Sequence, residues 1–304
     1  MIVVPALHPC HEVIAQVDML RAGTVGQADR AVVGVGGKAV NVARAVAAMG
    51  ASVRLVALAD ERLGEALRSH PGLESVDLTV IPSLVASRTD VAIVDSEATL
   101  TVLNSRAADP GREAIEAVLT ATLGGLRDGD LLVLSGSLPV GAEGAIARSI
   151  EAARRQGALV ALDASGAALL EGLEAAPDVL KVAADELAAV AATTALDALQ
   201  RGPELAPGIE VAVLTHGPRG LRAWLSDGYV DVLPPAIRAV NPLGAGDALM
   251  AGLAIGLATG QDIVDALVLG TAMAASTVER LDTAVDPGRT AELRAEVRVS
   301  RPID

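Results

Sequence analysis

Asn241-Pro242-Leu243-Gly244-Ala245-Gly246-Asp247, followed by the apolar run Ala248-Leu249-Met250-Ala251-Gly252-Leu253, organises the reading of this 304-residue chain. Two glycines flank an alanine, so the backbone can turn tightly with its N–H groups on one side. The apolar run reads as a helix, which makes those N–H groups an unsatisfied first turn. Hydrogen bonding and the helix dipole both favour an anion there. Asp247 then stands beside the anion seat, where a bound anion repels it. Two readings of Asp247 follow. It takes the proton of an alcohol that attacks a bound phosphate, or it caps the helix and answers its dipole.

Composition narrows the partners. The formal net charge of −14 argues against a polyanionic partner, and with no Phe, one Trp and one Tyr the chain lacks platforms for stacking nucleic-acid bases. A small phosphate needs only a locally basic pocket, which an acidic chain can still hold. Apolar residues make up 51% of the sequence, so a large core is expected, built from Ala, Val and Leu. The length allows one large α/β domain or two smaller ones. Cys10 is the single cysteine, which excludes an intrachain disulfide and suits a reducing compartment. No basic segment precedes the opening Met1-Ile2-Val3-Val4-Pro5, and uncharged stretches such as 248–260 are too short and glycine-rich to span a bilayer. A cytoplasmic, soluble protein is the expectation.

Working outward, the spacing predicts a buried strand over 2–7. Next comes His8-Pro9-Cys10-His11-Glu12, which reads either as a metal-ligand cluster or as a strand end lining a cleft; its spacing fits no standard paired-ligand pattern. Strands are predicted over 12–17 and 28–35, a helix over 41–49 stopped by Gly50, and a strand over 52–58. A second helix-poor pair, 87–94 and 99–104, alternates like a half-exposed hairpin. Both pairs interrupt the α/β pattern, so a small sheet standing off the main body is expected. From 112 the rhythm is regular. Helices are predicted over 112–126, 142–156, from 186 to 192 and over 263–280, with strands over 131–134, 159–163, 179–182, 211–214, 222–225 and 229–232. Such alternation implies a mostly parallel sheet with helices on both faces.

Among polar candidates, Lys38 and Arg88 stand beside predicted strands of the extra sheet. They read as phosphate contacts or as ordinary surface charge. Gly34-Val35-Gly36-Gly37-Lys38-Ala39 fits a dinucleotide-binding outline, although another strand and turn precede it where such units usually begin the fold. Glu186, at a helix start after a short strand, is suited to Mg²⁺ through water or to the helix dipole. Thr215-His216-Gly217-Pro218-Arg219-Gly220 is a glycine turn fit for a nucleotide or for a plain hairpin.

In combination these stretches resemble the ribokinase-like (PfkB) carbohydrate kinases, within them the branch of 1-phosphofructokinase and tagatose-6-phosphate kinase. The resemblance covers nearly the whole length. It rests on Gly36 to Ala43, Ser87-Arg88-Thr89, Leu134 to Pro139, Asp163-Ala164-Ser165-Gly166 and Asn241 to Asp247, in that order. It implies a single doubly wound α/β domain, residues 1–304, with a β lid inserted from about 11–35 and 87–105 that often pairs with a second subunit. It implies ATP and Mg²⁺ as cofactors and a sugar or sugar phosphate as acceptor, with Asp247 as base and the backbone of Gly244, Ala245 and Gly246 as the anion hole. Glu12, Gly37, Lys38, Asn41 and Arg88 match the acceptor side, Thr215, Gly217 and Gly220 the nucleotide turn, and Glu186 the Mg²⁺-associated glutamate. Departures from the branch pattern are Glu12 for a shorter aspartate, Ala183 for an asparagine, Asp90 for an asparagine, Ala39 for a glycine, and Pro242 for Ser or Thr. Two competing expectations remain: a non-catalytic sugar-phosphate or nucleotide sensor on the same fold, and a nicotinamide dehydrogenase built on Gly34 to Ala39.

Overall fold

A run of apolar residues with no polar face can be a strand only where both sides are covered. Ile2–Ala6 is such a run, buried at all five positions. It is β1 of a computed structural model that describes residues 1–190 and 208–301. The chain continues through β2 (Cys10–Gln16), β3 (Arg30–Gly36), α1 (Lys38–Ala48), β4 (Val53–Ala59), α2 (Glu61–Ser69), β5 (Asp77–Pro82), β6 (Arg88–Val94) and β7 (Leu100–Leu103). Then follow α3 (Arg112–Leu123), β8 (Leu131–Ser135), α4 (Ala145–Arg155), β9 (Leu159–Asp163), α5 (Gly166–Ala175), β10 (Val179–Ala183) and α6 (Ala184–Val190). The last part comprises β11 (Val211–Thr215), β12 (Leu221–Leu225), β13 (Gly228–Leu233), α7 (Ala245–Ala258), α8 (Ile263–Val278), α9 (Pro287–Arg294) and β14 (Arg298–Ser300).

Ten strands form one sheet in the order β14-β13-β12-β11-β10-β9-β8-β1-β4-β5. The run from β5 to β11 is parallel, while β12, β13 and β14 add an antiparallel edge. One face packs against α1, α2, α7 and α8, and the other against α3, α4, α5 and α6. Without phenylalanine, the layers close by bringing small residues together. A Cβ on Gly252 of α7 would lie 2.3 Å from the Gly270 Cα of α8, and one on Gly256 would lie 2.2 Å from the Ala266 Cβ. Glycine at those positions sets how near the two helices approach.

The two helix-poor pairs form a separate four-stranded sheet in the order β3-β2-β6-β7. Each pair is antiparallel, and the two are joined by a parallel pairing of β2 with β6. The inner face buries Cys10, Glu12 and Ile14 of β2 with Asp90, Ala92 and Val94 of β6. The outer face leaves Val33 77% and Leu103 59% exposed.

Most expected elements occur, with differences that have local causes. The first helix begins at Lys38 rather than 41, because Gly37 at φ +98° serves as its N-cap. Helix α4 starts at Ala145, after Gly144 at φ +79°. Elements α2, β5, α5, α9 and β14 were absent from the sequence expectation. The expected helix from 186 begins at Ala184 as α6, and its end at 192 lies outside the described residues. Among the described residues, no helix is long and apolar enough to cross a membrane.

Candidate active site

In the main sheet, β4 and β5 extend from β1 to one side while β8 to β11 extend to the other. The chain therefore reverses its direction of growth between β1 and β8, and open parallel sheets bind ligands beyond the strand ends at such a point. Here the His8 Nδ1 lies 3.0 Å from the Ser137 Oγ, spanning the reversal. Strand β9 ends at this edge in Asp163, and α1 opens there with Lys38.

The α7 start forms the centre. Gly244 caps it at φ +80°, and no side chain caps its amides. Ala245 N–H makes a long 3.4 Å bond to Pro242 O, and Ala248 N–H closes the first helical bond to Gly244 O. No hydrogen bond from the described residues ends on the amides of Gly246 or Asp247. The turn itself is clamped from behind. Asn241, fully buried, accepts from Leu243 N–H at 3.0 Å and donates to Leu281 O at 2.9 Å.

Asp247 is 6% exposed, and its Oδ2 accepts from the Asn41 Nδ2 at 2.9 Å. The Asn41 Oδ1 is buried without a partner among the described residues. Burial pushes the Asp247 carboxyl up to about 6, and Asp163 pushes the same way, against Lys38, the Asn41 hydrogen bond and Lys181. A carboxylate poised there is ionised at neutral pH yet basic enough to accept a proton.

Beside it runs a chain of alternating charge. Lys38 Nζ contacts Glu186 Oε1 and lies 3.3 Å from Asp163 Oδ1, while Lys181 Nζ lies 2.9 Å from Asp163 Oδ2. Burial alone would raise the Asp163 carboxyl, but Lys181 and Lys38 hold it below the usual carboxylate range. Ala183 N–H donates to Glu186 Oε2 at 3.1 Å, so the backbone at the position of the missing asparagine orients this glutamate. Lys181 reaches the glycine turn, since a Cβ on Gly246 would lie 2.8 Å from its Nζ. Asp163 and Lys181 were not among the expected site residues. Their signal was a lysine inside the apolar strand Val179-Leu180-Lys181-Val182 and an aspartate ending another, since buried charges are rare unless paired.

The small sheet supplies the opposite wall. Glu12 is 9% exposed, and a Cβ on Gly36 would lie 2.6 Å from its Oε1. Burial pushes its carboxyl up to about 7, opposed by Arg44, reinforced by Asp247 and Asp90, and opposed again by Arg88. The Arg88 Nη1 pairs with Asp90 Oδ2, and its Nε and Nη2 donate to His8 O at 3.2 and 3.0 Å. Gly37 lies between the two walls; a Cβ there would be 3.9 Å from Arg88 Nη2. Lys38 and Arg88, expected to share a phosphate, thus stand with different partners. Cys10 and Glu12 face inward on β2 while His11 alternates to the other side. Among the described residues no group of three or more His, Cys, Asp or Glu side chains is arranged to hold a metal. Strand β3 pairs antiparallel with β2 in this sheet, so Gly34 to Ala39 does not open a parallel dinucleotide-binding unit.

Thr215 pairs with Ala183 across β10 and β11, which brings the glycine turn next to Glu186. Gly217 (φ +57°) and Gly220 (φ +91°) shape that turn, and a Cβ on Gly220 would strike Val232 O at 2.3 Å. A cleft of about 500 Å³ adjoins it, lined by residues including His216, Arg219 and Trp224.

A family model described as pfkB family carbohydrate kinase matches residues 9–287. The chain belongs to the pfkB family of carbohydrate kinases. It is 29% identical over 313 residues to a 1-phosphofructokinase of Vibrio cholerae, covering 98% of this chain and 96% of that one. Identity to a 1-phosphofructokinase of Rhodobacter capsulatus is 32% over 260 residues, covering 83% and 82%. In fold it is similar to Escherichia coli phosphofructokinase-2, solved in complex with substrates and products, at TM-score 0.87 and 22% identity over 97% of this chain and 98% of that one. An Arabidopsis thaliana ribokinase complexed with ribose and ATP superposes at TM-score 0.69 and 18% identity over 96% and 98%. This pfkB kinase is therefore a phosphotransferase whose acceptor is a sugar or sugar phosphate hydroxyl, built on a ribokinase-like fold.

Proposed function

We propose that this chain transfers the terminal phosphoryl group of ATP to a free hydroxyl of a ketose phosphate such as fructose 1-phosphate or tagatose 6-phosphate. The observation that carries this reading is the uncapped glycine turn at Gly244 to Gly246 beside the buried, hydrogen-bonded Asp247. In the step proposed, the acceptor oxygen bonds to phosphorus, its proton passes to the Asp247 carboxylate, and the bond to ADP breaks. The Gly244, Ala245 and Gly246 amides hold charge on the transferring oxygens, where one donor in comparable sites is worth about 3–4 kcal/mol. Lys38 and Lys181 add positive charge beside them.

Asn41, with its free Oδ1, accepts an acceptor hydroxyl, as do the Glu12 carboxylate and the backbone at Gly37. Arg88 takes the distant phosphate, turning binding into orientation. Thr215, Gly217 and Gly220 border the nucleotide. Asp163 and Glu186 are oxygen donors of the type Mg²⁺ selects, and their placement around one ammonium supports a cation-binding role. When bound, Mg²⁺ would neutralise charge on the nucleotide phosphates. We also propose one kinase domain over the whole chain, with the small sheet as its lid. Val13, Val33, Val91 and Leu103 on the lid's outer face support pairing with a second copy.

A screen coupled to ADP release, comparing ketose phosphates with free sugars, tests the assignment. Phosphorylated acceptors are expected to be strongly preferred. Preference for free sugars would remove the role of Arg88, and no ADP release with any sugar or sugar phosphate would overturn the catalytic reading.

A further inference from the structure

The pair of carboxylates suited to a metal is already filled by a cation that belongs to the chain. Asp163 Oδ1 and Glu186 Oε1 face each other across the Lys38 ammonium. Their other oxygens are occupied separately, Asp163 Oδ2 by Lys181 and Glu186 Oε2 by the Ala183 amide. Counting formal charges, the Asp163 and Glu186 carboxylates balance the two ammonium groups, and the neighbouring Asp247 carboxylate leaves the cluster one net negative charge. A divalent cation added to it would leave an excess of one positive charge in a site whose central aspartate is fully buried, which is unfavourable. Nucleotide phosphates bring the missing negative charge. They also offer the ammonium a new partner, and the Lys38 side chain is 29% exposed on a flexible four-carbon stem, so it has room to move.

Building on the kinase reading, we propose that Lys38 is the resident counter-ion of the Asp163–Glu186 pair, excluding divalent cations until nucleotide arrives and then moving from the carboxylates to the transferring phosphoryl group. Metal binding thereby becomes conditional on nucleotide. Lys38 has two successive partners, where the sequence suggested a phosphate contact or ordinary surface charge.

The test is Mn²⁺ titration of the nucleotide-free protein, with free Mn²⁺ read by electron paramagnetic resonance. Lys38→Met removes one positive charge from the cluster and frees the two carboxylate oxygens it holds, and is expected to bind Mn²⁺ at least tenfold more tightly than the wild type. Lys38→Gln serves as a second neutral variant, and Lys38→Arg, which keeps the charge, should behave as the wild type. Adding Glu186→Gln to Lys38→Met should abolish the gain. Equal Mn²⁺ affinity in the wild type and both neutral variants overturns the proposal, as does a gain that survives Glu186→Gln. A separate ADP titration of the wild type keeps the two readings apart. Absent ADP binding overturns the kinase assignment and the nucleotide half of this proposal, whereas intact ADP binding with unchanged Mn²⁺ affinity overturns the Lys38 role alone.

Discussion

Gly36→Ala perturbs one contact at the wall proposed to hold the acceptor, and the structure sets its size. The new Cβ would stand 2.6 Å from Glu12 Oε1, 2.7 Å from its Cδ and 3.0 Å from its Cβ, where ordinary contact begins near 3.4 Å. The carboxyl group must therefore retreat by about 0.8 Å. Gly36 has no positive φ, so alanine brings no backbone strain and the effect falls on Glu12. That side chain has little freedom to swing away, being 9% exposed with Asp90 and Asp247 nearby. A displacement of this size in a positioning group costs on the order of 10²-fold in rate. We expect kcat/KM for the acceptor to fall by about 30- to 100-fold, equivalent to about 2–3 kcal/mol. Most of the loss should appear as a raised acceptor KM, with the KM for ATP within about twofold of wild type. Steady-state ADP release, varying each substrate in turn, reads both values. Glu12→Asp withdraws the carboxyl by one methylene, so the double variant should recover much of the loss. An acceptor KM unchanged in Gly36→Ala would refute the assignment of Glu12 to the acceptor.

Other outcomes follow from the same geometry. Asp247→Asn should lower kcat by about 10²- to 10⁴-fold while ADP binding persists; near-normal turnover would remove Asp247 as the base. The same variant should be more stable at pH 7.5. The folded carboxyl sits at about 6 against a reference of 3.8, so the native state holds the extra proton between these values and loses stability as pH rises through them. A displacement of that size is worth about 3 kcal/mol. Thermal unfolding should show the gain shrinking towards pH 4, and a lower Tm at pH 7.5 would contradict it. Gly252→Val forces apart α7 and α8 at the Gly270 backbone and should cost about 3 kcal/mol or more in denaturant unfolding; a loss below about 1 kcal/mol would show that the helices are not held at that distance. Val33→Asp places a charge on the outer face of the small sheet and should convert the proposed dimer to a monomer in sedimentation velocity, whereas unchanged association would move the interface elsewhere.

The legible parts of the chain were those with a strong period. Strands such as Leu131–Ser135 and Leu159–Asp163 are short apolar runs bounded by turn residues, and the lid hairpins alternate visibly. Helix α2 escaped because Glu61-Arg62-Leu63-Gly64-Glu65 is mostly polar, although Asp60 accepts from Leu63 N–H as an N-cap. Helix α5 begins at a glycine with φ +58°, which reads as a turn. The parallel joining of β2 to β6 has no local signal, because their separation in sequence is bridged only by packing. Of the site, Asp247, its glycine turn and Glu186 were marked by position at helix starts, and Asn41 only by the family resemblance. What could not be read was direction. Lys38 points its ammonium at Asp163 and Glu186, a choice made by two carboxylates that arrive from a strand end and a helix start far along the chain.

The parallel seam between β2 and β6 has a mechanical consequence. It runs from Cys10 opposite Arg88 to Gln16 opposite Val94, with Glu12 directly across from Asp90. Backbone bonding along this seam ties both hairpins into one stiff plate. Four connections, at 7–9, 37, 83–87 and 104–111, attach that plate to the main body. Any pivot must bend all four together, so Glu12 on β2 and Arg88 on β6, both proposed to hold the acceptor, would move as one unit.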